Sequence, residues 1–258
     1  MTVQRRVLDI WKDPKSMTKI LPALADHLVQ LSSATEHGVV VDMACGVGTC
    51  ARRFAPNAKK VYALDVSKEQ VRACRGANNK FANIEVMLQD VQRPWPIKNR
   101  TVDMVTGVGA LSNLDQPATA LREASRVLKP HGQLLLGDFC IPSAIHEVWG
   151  ALSSMRYGSR RPYVDYHQYM DLLLDAGFEV VQYRAIRWRY CLNDTLTKLS
   201  RELAHASIKA VRDLDRETQT LLHMQVQGKR VILEHDCFAL SAGRIGATPN
   251  ARVDDMKR

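Results

Sequence analysis

Residues 39–54, Val-Val-Val-Asp-Met-Ala-Cys-Gly-Val-Gly-Thr-Cys-Ala-Arg-Arg-Phe, constrain this chain more than any other stretch. Three β-branched residues run into an acid at Asp42. A turn of small residues follows (Ala44, Cys45, Gly46, Gly48), and then a segment that can form a helix. A strand that ends in a tight loop at a helix N-terminus is how an α/β sheet holds a nucleotide-like ligand. Gly46 and Gly48 allow a sharp turn and leave no Cβ between the backbone and a ligand.

The rest of the first half repeats the pattern. Lys60–Asp65, Ile84–Asp90, Thr101–Thr106 and Gln133–Phe139 read as strands. Between them, Ser67 and Gln70 form a capping box for a helix from Lys68 to about Asn78. Gln116–Val127 reads as a helix stopped by Lys129-Pro130-His131-Gly132. Strands alternating with helices at this spacing predict a doubly wound, mainly parallel sheet. Ahead of it, apolar positions from Val7 to Leu31 have helical spacing broken near Pro14, which predicts one or two amphipathic helices. After it come a Tyr-rich stretch (Tyr157, Tyr163, Tyr166, Tyr169), a helix from Asp165 to Ala176 ended by Gly177, and a strand over 178–188. A long helical segment over 193–227 follows, capped by Asn193 and ended by Gly228, then a last strand within 230–244 and a polar tail. The division expected is an N-terminal helical cap (1–36), a ligand-binding core (37–140), a substrate-side half (141–245) and a flexible tail (246–258).

Composition narrows the class. The 258 residues suffice for one large α/β domain, and a 46% hydrophobic share suits an ordinary globular chain. No apolar run reaches membrane-spanning length and the first residues lack a signal-peptide core, so a cytoplasmic protein is expected. The six cysteines contain no C-x-x-C pair, which argues for reduced thiols and against a metal site. The net charge of +9 is scattered, apart from Arg160-Arg161 and the Arg184-Arg187-Arg189 alternation. That favours a basic surface attracting an anionic small molecule over specific nucleic-acid binding.

Three acids end three successive strands and so share one carboxyl edge. Asp65 stands 19 residues after Gly46, close to the spacing at which a carboxylate meets a ribose diol. Asp90 lies where an adenine amino group would come, and Asp42 could meet a cationic amine. Each has a plainer reading: Asp42 caps the loop, Asp65 caps a helix, and Asp90 is an ordinary strand end.

Asp42–Thr49 resembles the S-adenosylmethionine-binding motif of class I methyltransferases, with Ala44 in place of the first glycine. Arg126–Leu136 is similar to the family's "RVLKPGG" segment, and Pro94-Trp95-Pro96-Ile97 with Val102–Val105 to its "LPF…FD" stretch. The likeness covers residues 38–140 and is nearest to the quinone C-methyltransferase branch. It implies a Rossmann-like, seven-stranded sheet with a reversed last strand, and S-adenosyl-L-methionine as cofactor. The loop of Ala44, Cys45, Gly46 and Gly48 would pass the methionine part. Asp65 and Val66 would flank the ribose, Asp90 and Val91 the adenine, and Gly107 the methyl donor. His131 and Val102 depart from the family pattern.

Such an enzyme aligns and desolvates an acceptor, and needs a base only when the acceptor is protonated. Tyr157, Tyr166 and His167 are the candidate catalytic residues, with Tyr163, Tyr169, Asp138 and His146 behind them. The N-terminal helices and the 193–227 insertion would cap the acceptor or join two copies as a homodimer. Competing readings are an NAD-dependent oxidoreductase (Gly46-x-Gly48-x-x-Ala51), a non-catalytic binding protein of the same fold, and an RNA methyltransferase.

Overall fold

A computed structural model describes residues 17–32, 38–140, 165–196 and 200–246, together with His146 and Gly150. Helix α1 (Met17–Leu31) leads into β1 (Val39–Met43), α2 (Ala51–Phe54), β2 (Lys60–Asp65), α3 (Lys68–Ala77) and β3 (Ile84–Leu88). Then come β4 (Val102–Val108), α4 (Pro117–Val127), β5 (Leu128–Cys140), α5 (Tyr166–Asp175) and β6 (Phe178–Cys191). Three short helices follow, α6 (Leu192–Thr195), α7 (Arg201–Arg212) and α8 (Arg216–Leu221), before β7 (Gln225–Gln227) and β8 (Arg230–Arg244).

The sheet runs β3-β2-β1-β4-β5-β8-β6, with β7 added on β8. Strands β1 to β5 are mutually parallel, whereas β8 runs antiparallel to both β5 and β6. The Rossmann-like doubly wound fold with a reversed last strand therefore holds. Among the described residues the strand total is eight, not seven, because Gln225–Gln227 forms a hairpin with Arg230–Ile232. Gly228, at φ +60°, makes the turn of that hairpin and does not end a helix. The segment over 193–227 is likewise not one helix. Ser200 and Asp215 each accept the backbone N–H three residues on, from Leu203 and Thr218, and each starts a new helix. Cys191, one of the last residues of β6, occupies the cap position assigned to Asn193.

Helices lie on both faces. Ile20, Leu24 and Leu28 of α1 pack with Ala51, Phe54 and Cys74 on one side, and Leu121, Ala124, Tyr169 and Leu173 pack on the other. Each fully buried Leu in these layers contributes about 1.5–3 kcal/mol. Helix α1 crosses β5 at Gly137, where a Cβ would stand 3.2 Å from that of Leu24. The insertion packs Leu196, Val211 and Leu222 into the same layer as Tyr190 and Leu233.

The Arg126 segment owes its pattern to a brace. Arg126 grips Glu123 with two bonds (2.7 and 2.8 Å) and donates to the carbonyls of Trp95 and Ile97, while Trp95 N–H donates to Glu123. This fastens α4 to the Pro94–Ile97 turn. His131 is exposed at the opposite end of β5 from the strand-end acids.

Candidate active site

The loop after β1 is set by backbone geometry. Gly46 and Gly48 have φ of +54° and +77°, and Ala44 adopts φ +51° despite its Cβ. Cys45 N–H donates to Leu64 O (2.9 Å) and Gly48 N–H to Cys45 O (2.8 Å), which folds the loop over the end of β2. The two glycines differ in surroundings. A Cβ on Gly48 would lie 2.5 Å from Asn78 Nδ2 and 2.6 Å from Cys74 Sγ, whereas on Gly46 the nearest atom would be 3.9 Å away. Gly48 is thus needed for packing, whereas a Cβ on Gly46 would make only an ordinary contact with Gln70 Oε1.

Asn78 was not foreseen, and it holds this arrangement. Its buried amide donates to Val47 O (3.1 Å) and Cys74 O (2.7 Å), and its oxygen accepts from Arg52 Nε (3.2 Å). Arg52 also donates to Val47 O at 2.6 Å. An Asn just past a helix end carries little sequence signal, because its partners in the loop, Arg52 and Val47, are 26–31 residues away.

The three strand-end acids do lie on one edge, and each is engaged. Asp42 is buried and accepts Ala51 N–H at 2.8 Å; burial pushes its carboxyl up to about 8. This is the loop-capping role. Asp65 accepts Gly46 N–H (2.8 Å) and Ser67 N–H (2.9 Å), tying the first loop to the second. Each carboxylate oxygen retains acceptor capacity for a further donor. Asp90 accepts Gln92 N–H at 2.9 Å. Val66, directly after Asp65, is 67% exposed, and Leu88, opposite Asp65 in the sheet, is half exposed. Val91 is buried and its carbonyl accepts Trp95 Nε1–H. Gly107 sits where a Cβ would meet Ala110 Cβ at 2.9 Å and Met43 at 3.1 Å. The uncrowded backbone at Gly46, carboxylate acceptors and exposed apolar residues beside Asp65 fit a nucleoside with a polar tail.

The tyrosines do not form one cluster among the described residues. Tyr157 and Tyr163 lie outside them. Tyr166 and His167 begin α5, with the Tyr166 ring edge-on to Tyr183 and to His167 at 5.6 and 5.7 Å. Tyr169 is core: its ring meets Phe238 and its hydroxyl donates to Asp138 Oδ2 at 3.3 Å. Asp138 also accepts the N–H groups of Ser112 (3.1 Å) and Phe139 (2.8 Å), and burial raises its carboxyl. It anchors the loop after β4. His146 is half-buried. All six thiols are free, and no group of three metal-ligating side chains occurs among the described residues.

Residues 41–136 match the family described as methyltransferase domain. The chain is 30% identical over 103 residues to a demethylmenaquinone methyltransferase of Tropheryma whipplei, covering 40% of this chain and 42% of that protein. It is 31% identical over 169 residues to a malonyl-[acyl-carrier protein] O-methyltransferase of Herminiimonas arsenicoxydans, covering 64% and 62%. Residues 41–136 are thus similar to a methyltransferase domain. This chain spans less than two-thirds of the length of these curated relatives. The methyltransferase fold extends further than the sequence likeness. A Bacillus halodurans protein described as a methyltransferase superposes with TM-score 0.77 at 24% identity, over 84% of this chain and 97% of that one. A geranyl diphosphate C-methyltransferase of Streptomyces coelicolor, solved with S-adenosyl-L-homocysteine, gives 0.59 at 15% identity, over 86% and 78%. No helix among the described residues is long and apolar enough to cross a membrane.

Proposed function

We propose that this chain moves the methyl group of S-adenosylmethionine to a small-molecule acceptor. The observation that carries this reading is the Asp65 carboxylate, held by the Gly46 and Ser67 N–H groups at the carboxyl edge of the sheet. When bound, the sulfonium donor supplies an activated methyl group for in-line displacement. Asp65 would accept from the ribose hydroxyls, with Val66 against the sugar. Asp90 and the Val91 backbone would meet the adenine. Ala44, Cys45, Gly46 and Gly48 would border the methionine part, with Asp42 beneath and Gly107 toward the methyl. The chain's own contribution is alignment and exclusion of water.

For a protonated acceptor, Tyr166 and His167 are the described base candidates, and Tyr157 the one outside. Net charge draws an anionic acceptor at long range. The β6 arginines are engaged, Arg184 with Gln30, Arg187 with Asp236 and Arg189 with Glu234. Exposed Leu203 and Leu221 on α7 and α8 support a homodimer through the late helices, and buried free thiols support a cytoplasmic setting.

Isothermal titration provides the test. S-adenosylhomocysteine should bind and NAD should not. Asp65→Ala should weaken binding tenfold or more through loss of charge-assisted bonds. Binding of NAD alone would favour the oxidoreductase reading and overturn this one.

A further inference from the structure

Two of the six cysteines meet beneath the loop after β1. Cys45 lies in that loop and Cys74 on α3, and their thiols are in hydrogen-bond contact. Cys74 Sγ also stands 2.6 Å from where a Cβ on Gly48 would be, so one sulfur underlies the loop at two points. The Asn78 amide donates to Cys74 Sγ at 3.4 Å, and Arg52, bonded to Asn78 Oδ1, brings a positive charge close by.

The pair is polarised. Cys45 donates its S–H to Cys74, which lowers the Cys74 thiol from its ordinary value; Asn78 and Arg52 act in the same direction, against burial and the charge of Asp65. The same bond, together with burial, pushes Cys45 up. Burial raises Cys50, Cys140 and Cys237 as well, as expected of inert core thiols. A thiolate-prone sulfur touching a second thiol is the arrangement of an attacking and a resolving cysteine. Cys45 is 7% exposed and Cys74 fully buried, so the oxidant that fits is hydrogen peroxide and not a bulky disulfide.

We propose that Cys45 and Cys74 are an oxidation site: hydrogen peroxide closes them into a disulfide, and the closed form releases the donor. The second half of the proposal rests on the donor reading above. The Cys74 sulfur attacks one peroxide oxygen, forming S–O as O–O breaks, and the departing hydroxide takes the Cys74 proton as water. The Cys45 sulfur then attacks the Cys74 sulfur, forming S–S as S–O breaks, and the hydroxyl leaves with the Cys45 proton as a second water. Two thiols are oxidised and one peroxide is reduced. A disulfide holds its sulfurs at about 2 Å, closer than a hydrogen-bond contact, so the loop is drawn toward α3. Cys45 is followed directly by Gly46, whose N–H donates to Asp65, so the movement falls on the carboxylate proposed to hold the ribose.

The test uses the full-length protein, reduced or treated with hydrogen peroxide, and reads two quantities. Peptide mapping by mass should find a Cys45–Cys74 cross-link lighter by two hydrogens. Titration with S-adenosylhomocysteine should show at least a tenfold loss of affinity on oxidation, as the charge-assisted bonds of Asp65 are displaced. Dithiothreitol should restore it; methionine sulfoxide needs its own reductases, so that recovery assigns the effect to the thiols. Cys74→Ala should bind S-adenosylhomocysteine equally before and after peroxide. Should that variant fail to fold, Cys74→Ser, which keeps a hydrogen-bonding side chain, takes its place. Peroxide that leaves the two thiols unlinked, a cross-link that leaves affinity unchanged, or an equal loss in the Cys74 variant would overturn the proposal. Failure of the reduced wild type to bind S-adenosylhomocysteine would instead overturn the donor reading, with the cross-link still readable by mass.

Discussion

Alanine at Gly48 and at Gly46 should damage the molecule in different ways, although the two positions are two residues apart in one loop. At Gly48 the new methyl enters a left-handed backbone (φ +77°), costing about 1–2 kcal/mol. It also meets Asn78 Nδ2 and Cys74 Sγ at 2.5 and 2.6 Å. Asn78 cannot swing aside without breaking its bonds to Val47, Cys74 and Arg52. Overpacking of that kind adds about 1–3 kcal/mol, so Gly48→Ala should lose roughly 2–5 kcal/mol of stability. At Gly46 only the backbone cost applies, about 1–2 kcal/mol, because no protein atom lies within 3.9 Å of the added carbon. The added methyl stands on the loop proposed to border the donor, so Gly46→Ala should lose S-adenosylhomocysteine affinity at least tenfold. Urea unfolding and isothermal titration on both variants read the two quantities separately. In a double-mutant cycle, Cys74→Ala should recover about 1 kcal/mol or more of the Gly48→Ala loss. Equal stability losses at the two glycines, or no coupling to Cys74, would refute the reasoning.

Asp42 predicts a pH signature. Its carboxyl is pushed up to about 8 in the folded chain against 3.8 unfolded, so the unfolded state gives up its proton first. Wild-type stability should therefore fall as pH rises from about 4 to 8, and Asp42→Asn should remove that part of the slope. Melting temperatures across that range check it, and a gap between the two proteins that does not widen with pH would count against it. Tyr169→Phe deletes one hydrogen bond to Asp138 and should cost about 0.5–1.5 kcal/mol in urea unfolding with donor affinity unchanged. A loss of donor affinity there would instead give Tyr169 a role at the site.

Much of the α/β core is readable from local pattern. Each of the first five strands is a short apolar run with an identifiable stop, and Ser67 caps α3 with its hydroxyl on Gln70 N–H as its spacing implies. The acids could be placed on one edge because parallel topology fixes that edge. What each acid touches was less visible, since Asp65 binds a backbone N–H 19 residues earlier, and only folding brings the two together. The late region resisted for a different reason. An apolar stripe from Leu196 to Leu221 has the same periodicity in one helix as in two staggered ones, and only the caps at Ser200 and Asp215 tell them apart. Alternation along β6 marks one face as Ile186, Trp188 and Tyr190. It gives no sign that β6 and β8 stay paired past the end of β5, because overhang is a property of strand pairing.

Because β8 fills the slot between β5 and β6, the sheet cannot be completed in the order in which it is synthesised. The β1–β5 unit can form early, but the outer edge of β5 stays unpaired until residues 230–244 leave the ribosome. An open edge of thirteen residues beside a waiting β6 invites pairing with other chains. A nascent chain stalled near residue 229, or one clipped at the exposed Gly228 turn, would hold two strands that have lost their common neighbour. Its aggregation, more than loss of the site, would then set the yield of active protein.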